Sequence, residues 1–137
     1  MTGRERILAL LDGKTPDLPG LLPITMMFAA GRAGLDYGRY ALDHRVLVES
    51  QIKTASDYSL DHVSAITETR EAPDCGAPGR FFDNQPYALD EERSLLLDKA
   101  TLCRLKAPDP APPPHMSDRL EAIAPLNRRA GDALLAR

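Results

Sequence analysis

Apolar side chains in this 137-residue chain recur at helical spacing in some stretches and form short continuous runs in others. Helical spacing predicts helices after Thr2, Asp43 and Ser117, because apolar residues three and four positions apart share one helix face. Continuous runs predict buried strands over residues 21–28 and 62–66, and the last apolar residues predict the start of a third strand. The order helix, strand, helix, strand, excursion, helix, strand is typical of parallel βα units.

Residues at the segment boundaries support this division. Thr2 and Glu5 form a capping-box pattern, in which each side chain can bond the backbone N–H of the other residue. Asp43 and Ser117 can likewise cap the helices that follow them. Pro125 removes one backbone hydrogen bond inside the last helix and predicts a kink there.

The excursion between the second strand and the last helix is rich in turn formers. Residues 73–79 contain two prolines and two glycines, and the loose alternation over residues 80–89 predicts a small hairpin or an irregular segment. Asp90 can begin a further helix, and Asp98 can cap its continuation. The prolines within residues 108–114 predict an extended spacer without helix.

Composition narrows the class of protein. The chain is 43% hydrophobic and 27% charged with a net charge of −3, which is typical of one soluble globular domain. Its positive charges are scattered, so we expect no nucleic-acid partner and no membrane partner. The longest apolar stretch, near Pro23, is about half as long as a membrane-spanning helix. Two distant cysteines, Cys75 and Cys103, and the absence of a visible secretory signal predict a cytoplasmic protein.

No metal site is expected from the spacing of possible ligands. His44, His62 and His115 have no neighbouring ligand at metal spacing, and Cys75 and Cys103 lie outside any CxxC pattern. Each histidine is therefore interpreted as a surface or packing residue.

Candidate ligand-binding residues follow the two predicted strands. Phe28, Arg32 and Tyr37 lie at or just after the first strand, and Glu68 follows the second. Ligands bind at the carboxyl ends of parallel strands, so Arg32 and Tyr37 are predicted to bind a substrate. Structural roles compete with this hypothesis: Arg32 can pair with Asp36 or a helix end, Glu68 can cap a helix, and Tyr37 can serve core packing.

Several motifs resemble one family when they are taken in order. The N-terminal helix of this family and the turn after it resemble residues 4–14 with Pro16 and Asp17. Its first-strand motif resembles residues 27–32, and its acidic-aromatic pair resembles residues 36–37. The family is the uroporphyrinogen decarboxylase superfamily, which includes the cobamide-dependent methyltransferases.

The resemblance implies an α/β fold, namely a partial (β/α)8 TIM barrel whose N-terminal βα units follow an N-terminal cap helix. Residues 1–137 would form the N-terminal segment of this barrel domain, which takes roughly 250 residues in full. Family members act as carboxy-lyases or methyltransferases. The zinc and corrinoid of methyltransferase-like relatives belong to the full-length proteins, so we expect no cofactor in this chain and no activity from it alone.

Two departures from the decarboxylase pattern favour the methyltransferase-like branch. Phe28 stands where decarboxylases have the first of two arginines, while Arg32 retains the second. Glu68 is the nearest acid to the family's second-strand aspartate, so the resemblance implies that Phe28 and Glu68 contact the substrate together with Arg32 and Tyr37. The substrate of a completed barrel would be a small molecule or a corrinoid protein. The alternative is a non-catalytic split or decayed α/β module that binds a partner chain, because open sheet edges favour self-association or a partner.

Overall fold

The computed structural model describes residues 1–66, 71–107, 109 and 114–136. Within these residues it contains six α-helices, four two-residue strands and two 3-10 helices. The α-helices are α1 (Gly3–Leu11), α2 (Met26–Arg32), α3 (Tyr37–Leu42), α4 (His44–Tyr58), α5 (Glu71–Asp74) and α6 (Pro114–Ala130). The strands are β1 (His62–Val63), β2 (Gly79–Arg80), β3 (Ala88–Leu89) and β4 (Leu135–Ala136), and the 3-10 helices span Glu91–Arg93 and Lys99–Arg104.

Helix α4 lies at the centre of the core. It packs against α2, α3 and α6, and it also contacts β1. Leu47 of α4, Val63 of β1 and Leu126 of α6 are each at most 2% exposed. Buried alanines on α2 and α6 let these helices approach α4 closely. The core is therefore a helical layer packed on a very short parallel strand pair.

Strands β1 and β4 run parallel, with His62 opposite Leu135 and Val63 opposite Ala136. This pairing confirms the predicted strand within residues 62–66 and the predicted start of a strand at the end of the chain. Between the two strands lie the excursion and α6, as a parallel connection requires.

The strand predicted over residues 21–28 is wrong. Residues 21–25 have no regular secondary structure, and α2 begins at Met26, where Ala29 N–H donates to the carbonyl of Thr25. Pro23 has no N–H for a ladder, and methionine and alanine favour a helix. The segment nevertheless lies alongside β1, because Asp61 N–H donates to the carbonyl of Leu21 at 3.1 Å.

Helix α1 lies against the amino ends of β1 and β4. The predicted capping box is present. Arg4 N–H donates to the carbonyl of Ala133 just before β4, and Arg6 pairs with the buried carboxylate of Asp61 just before β1 at 2.8 Å. Gly3 has to be glycine here, because a Cβ would lie 2.7 Å from the Cα of Asp61.

The other boundary predictions have mixed outcomes. Asp43 caps α4 by accepting from Arg45 N–H, as predicted. Ser117 was predicted as a cap, which is wrong: α6 begins at Pro114, a residue well suited to the first helical turn, so Ser117 lies inside the helix. Pro125 is inside α6 as expected.

The excursion contains the predicted hairpin, in which β2 and β3 are antiparallel. Asp90 and Asp98 do cap the turns that follow them, but these turns are short 3-10 helices instead of the predicted α-helix. The extended spacer predicted for residues 108–114 falls mostly outside the described residues.

Candidate functional site

Arg32 ends a helix, so its expected position at the end of a strand is wrong. Its guanidinium pairs with Asp57 of α4 at 2.8 Å and lies 6.0 Å from the centre of the Tyr58 ring. Asp57 belongs to the last turn of α4, which leads directly into the amino end of β1. The structure therefore places Arg32 on the side of the amino end of β1. Arg32 therefore pairs near a helix end, which is the structural role that competes with ligand binding for this residue.

Phe28 lies beside Arg32 on the outer side of α2. Its ring centre is 5.2 Å from that of Tyr58, and both side chains are about half exposed. Phe28, Arg32 and Tyr58 thus form one exposed aromatic and cationic patch. Glu68 lies outside the described residues, so its predicted meeting with Arg32 stays a prediction.

Tyr37 is a core residue at the start of α3. It is 1% exposed and stacks on Tyr40, with ring centres 5.6 Å apart. Its backbone N–H donates to Asn84 Oδ1 at 3.2 Å. Among the described residues no group hydrogen-bonds its hydroxyl. Contact with a substrate would need α3 to move, so packing is the role visible for Tyr37.

A buried polar network lies near the end of β1. We call it the Gln51 network, and it consists of Thr25, Tyr40, Gln51 and Ser64. Gln51 Nε2 donates to Tyr40 Oη at 2.7 Å and to Thr25 Oγ1 at 3.0 Å. Gln51 Oε1 accepts from Ser64 N–H at 3.4 Å. All four residues are buried. One amide on α4 therefore ties together α3, the start of α2 and the residue that follows β1.

Burial keeps the Tyr40 phenol protonated. Burial raises the pKa of Tyr40 to about 12, although the hydrogen bond from Gln51 and the positive charge of Arg119 act in the opposite direction. A phenol with this pKa is neutral at physiological pH, so Tyr40 cannot act as a general base there. Because the network is sealed from solvent, it positions chain segments and is not an open binding site.

The sequence carried one signal for this network. Gln51 lies four residues after Leu47 and four residues before Ala55, and both of these residues are buried on the same face of α4. A polar side chain in the middle of an apolar helix face needs hydrogen-bond partners, and this indicates a buried network. The identity of the partners depends on tertiary contacts.

Three possible metal ligands meet where α4 begins. Atoms of Asp43, His44 and Asp118 lie within 4.8 Å of one another. Asp118 Oδ1 accepts from both His44 N–H and His44 Nδ1 at 2.9 Å, while the Asp43 carboxylate binds Arg45. These contacts cap and anchor α4. Spacing in the sequence could not show them, because Asp118 belongs to α6.

Large apolar side chains are unusually exposed in the first part of the chain. They occur on α1 and along residues 18–28: Leu8, Leu10, Leu11, Leu18, Leu21, Leu22, Ile24, Met27 and Phe28. Monomeric proteins rarely leave such surfaces open. This apolar surface favours contact with another part of a protein.

Comparisons with models of known protein families, with curated proteins and with solved structures found no match. Among the described residues no helix combines the length and the apolar character that crossing a bilayer requires.

Proposed function

We propose that this chain supplies the first βα units of a uroporphyrinogen-decarboxylase-like barrel of the methyltransferase-like branch. It would contribute one wall of the ligand cleft and would be inactive by itself. The observation that carries this proposal is the Gln51 network, which holds Thr25 and Ser64 together at the ends of two neighbouring chain segments.

The direction of these segments supports the proposal. Leu21 lies beside Asp61, and Thr25 shares Gln51 with Ser64, so residues 21–25 and 61–64 run in the same direction. The strand β4 is also parallel to β1. Parallel segments separated by helices are the repeating unit of a (β/α)8 barrel, and α1 at the amino ends corresponds to a cap helix.

The exposed patch on α2 is the part of the chain where Phe28 replaces the decarboxylase arginine. The pair of Arg32 with Asp57 is partly exposed, and such pairs contribute only about 0–1 kcal/mol. Because Arg32 lies on the side of the amino end of β1, whereas a barrel binds its substrate at the carboxyl ends of its strands, the proposal assigns this patch no contact with the substrate.

Among the described residues, the one group of possible metal ligands, Asp43, His44 and Asp118, contains no cysteine. Cys75 is half-buried and Cys103 is exposed, and the structure brings neither cysteine into a group of possible metal ligands within the part of the chain that it describes. We therefore assign no reaction step to zinc in this chain.

The test has two stages. Sequencing the reading frame beyond the codon for Arg137 shows whether further βα units follow in frame. If they do, the whole protein should transfer a methyl group from a methylcobamide to a thiol, and residues 1–137 alone should not. Arg32→Ala in the whole protein should leave kcat/KM nearly unchanged, because Arg32 lies on the side of the amino end of β1, away from the ligand cleft of a barrel. Uroporphyrinogen decarboxylation instead of methyl transfer would contradict the branch assignment.

A second candidate function follows from the exposed apolar surface on α1 and residues 18–28. In this alternative the chain is a non-catalytic α/β module whose apolar surface binds a partner chain. A stop codon directly after Arg137, together with a stable complex recovered by crosslinking from the native cell, would favour it over the barrel.

A further inference from the structure

The excursion between β1 and α6 encloses a half-open cavity of about 480 Å³. Its walls are mostly aliphatic and include Ala77, Leu89, Leu95 and Leu96, which come from separate turns of the excursion. This volume lies in the range of small-molecule sites, which are typically apolar with a few polar groups placed to orient the ligand.

The polar groups of this cavity all come from one short stretch. Asp90, Glu91 and Ser94 line it at the first 3-10 helix. The Asp90 carboxylate is occupied, because Arg93 Nε binds it at 2.7 Å. Glu91 forms no ion pair with any residue that the structure describes. One uncompensated carboxylate therefore faces a largely aliphatic cavity.

We propose that this cavity binds a small molecule with an aliphatic body and a single ammonium group, such as an alkylamine. The aliphatic walls favour burial of methylene groups. The carboxylate of Glu91, which forms no ion pair with any described residue, attracts a cation and repels an anion at the same end. This site is separate from the Gln51 network and does not depend on the proposed barrel function.

Cys75 makes occupancy measurable, because it lines the cavity and is only half-buried. Cys103 is exposed and does not line the cavity, so it is an internal control. Trypsin releases the two cysteines in separate peptides, residues 71–80 and 100–104. Alkylation of each cysteine by iodoacetamide can therefore be followed separately by mass spectrometry in the wild-type protein.

Hexylamine, hexanol and hexanoate are probes of equal chain length and different charge. Saturating hexylamine should slow alkylation of Cys75 at least about threefold and leave Cys103 unchanged. Hexanoate should need at least a tenfold higher concentration for the same protection. Each methylene removed from the amine should raise the half-maximal concentration about fourfold. No protection by any probe would overturn the site, and equal protection by hexylamine and hexanoate would overturn the cationic ligand.

A pair of variants gives an independent test of the charge. Glu91→Gln should weaken protection by hexylamine about two- to fivefold and leave hexanol unchanged, as expected for a partly exposed ion pair. Glu92→Gln is the matched control, since Glu92 is the adjacent carboxylate and does not line the cavity. Equal effects of the two variants would contradict a specific role for Glu91.

Discussion

At the scale of single residues, Gln51 forms the most consequential contact, because one amide satisfies three polar groups on three different segments. We predict that Gln51→Leu lowers the free energy of unfolding by about 2–4 kcal/mol, because Tyr40, Thr25 and Ser64 then lose a buried partner. Urea unfolding followed by circular dichroism measures this difference.

The chain offers a matched control for this substitution. Gln85 is exposed, and Gln85→Leu makes the same chemical change outside the core. It should alter the free energy of unfolding by less than about 0.5 kcal/mol. Equal effects of the two variants would show that the Gln51 network does not stabilise the fold.

Tyr40 predicts a specific alkaline sensitivity. Burial raises its pKa from 10.0 to about 12, so the folded state disfavours the phenolate. The stability gained in this way is fully present below pH 10 and is lost as the pH rises from about 10 to 12. The loss is of order 2–3 kcal/mol. In Tyr40→Phe this part of the pH dependence should disappear, as measured by urea unfolding at several pH values. Tyr58→Phe, at a half-exposed tyrosine, should leave it unchanged.

At the scale of elements, the sequence predicts α1 and α4 correctly and α2 wrongly. Capping patterns at Thr2 and Asp43 and the apolar periodicity after them were sufficient to predict α1 and α4. The run after Pro23 was ambiguous, because a short continuous apolar stretch suits a buried strand and a buried helix equally well. Burial of Ala29 and Ala30 against α4 stabilises the helical conformation of this segment.

Neighbouring positions on α2 should respond in opposite directions. Ala30 is 1% exposed, so Ala30→Leu should overpack the contact with α4 and destabilise the fold by about 1–3 kcal/mol. A Cβ at Gly31 would meet nothing within 4 Å, so Gly31→Ala should stabilise the helix by about 0.5–1 kcal/mol. Thermal unfolding of both variants checks this. Destabilisation by Gly31→Ala would contradict the orientation of α2.

In the candidate site too, contacts between neighbouring residues are predictable from the sequence, whereas contacts between distant residues are not. Phe28 and Arg32 belong to one short motif, and the structure brings them together on α2, on the side of the amino end of β1. The Gln51 network depends on contacts between residues 11 to 26 positions apart, and the only indication of it in the sequence is a polar residue on an apolar helix face. The partners of His44 on α6 lie still further along the chain.

At the scale of the whole molecule, nine large apolar side chains between Leu8 and Phe28 are at least 40% exposed, and an exposed apolar surface favours association. We therefore predict that the purified chain self-associates as its concentration rises. Burial of leucine and isoleucine side chains drives this association, at roughly 25 cal/mol for each Å² removed from water. Size-exclusion chromatography with light scattering should show an average mass above that of the monomer at high concentration.

The surface responsible can be located by charge substitution. Leu11 and Ile24 are among the most exposed apolar residues, at 76% and 71%, so Leu11→Lys combined with Ile24→Lys should shift the chain toward the monomer. Leu97 is equally exposed, at 74%, but lies in the excursion, so Leu97→Lys should leave association unchanged. A wild-type chain that stays monomeric at every concentration and unfolds in one cooperative transition would show that this surface needs no partner. The partner-binding candidate would then lose its support.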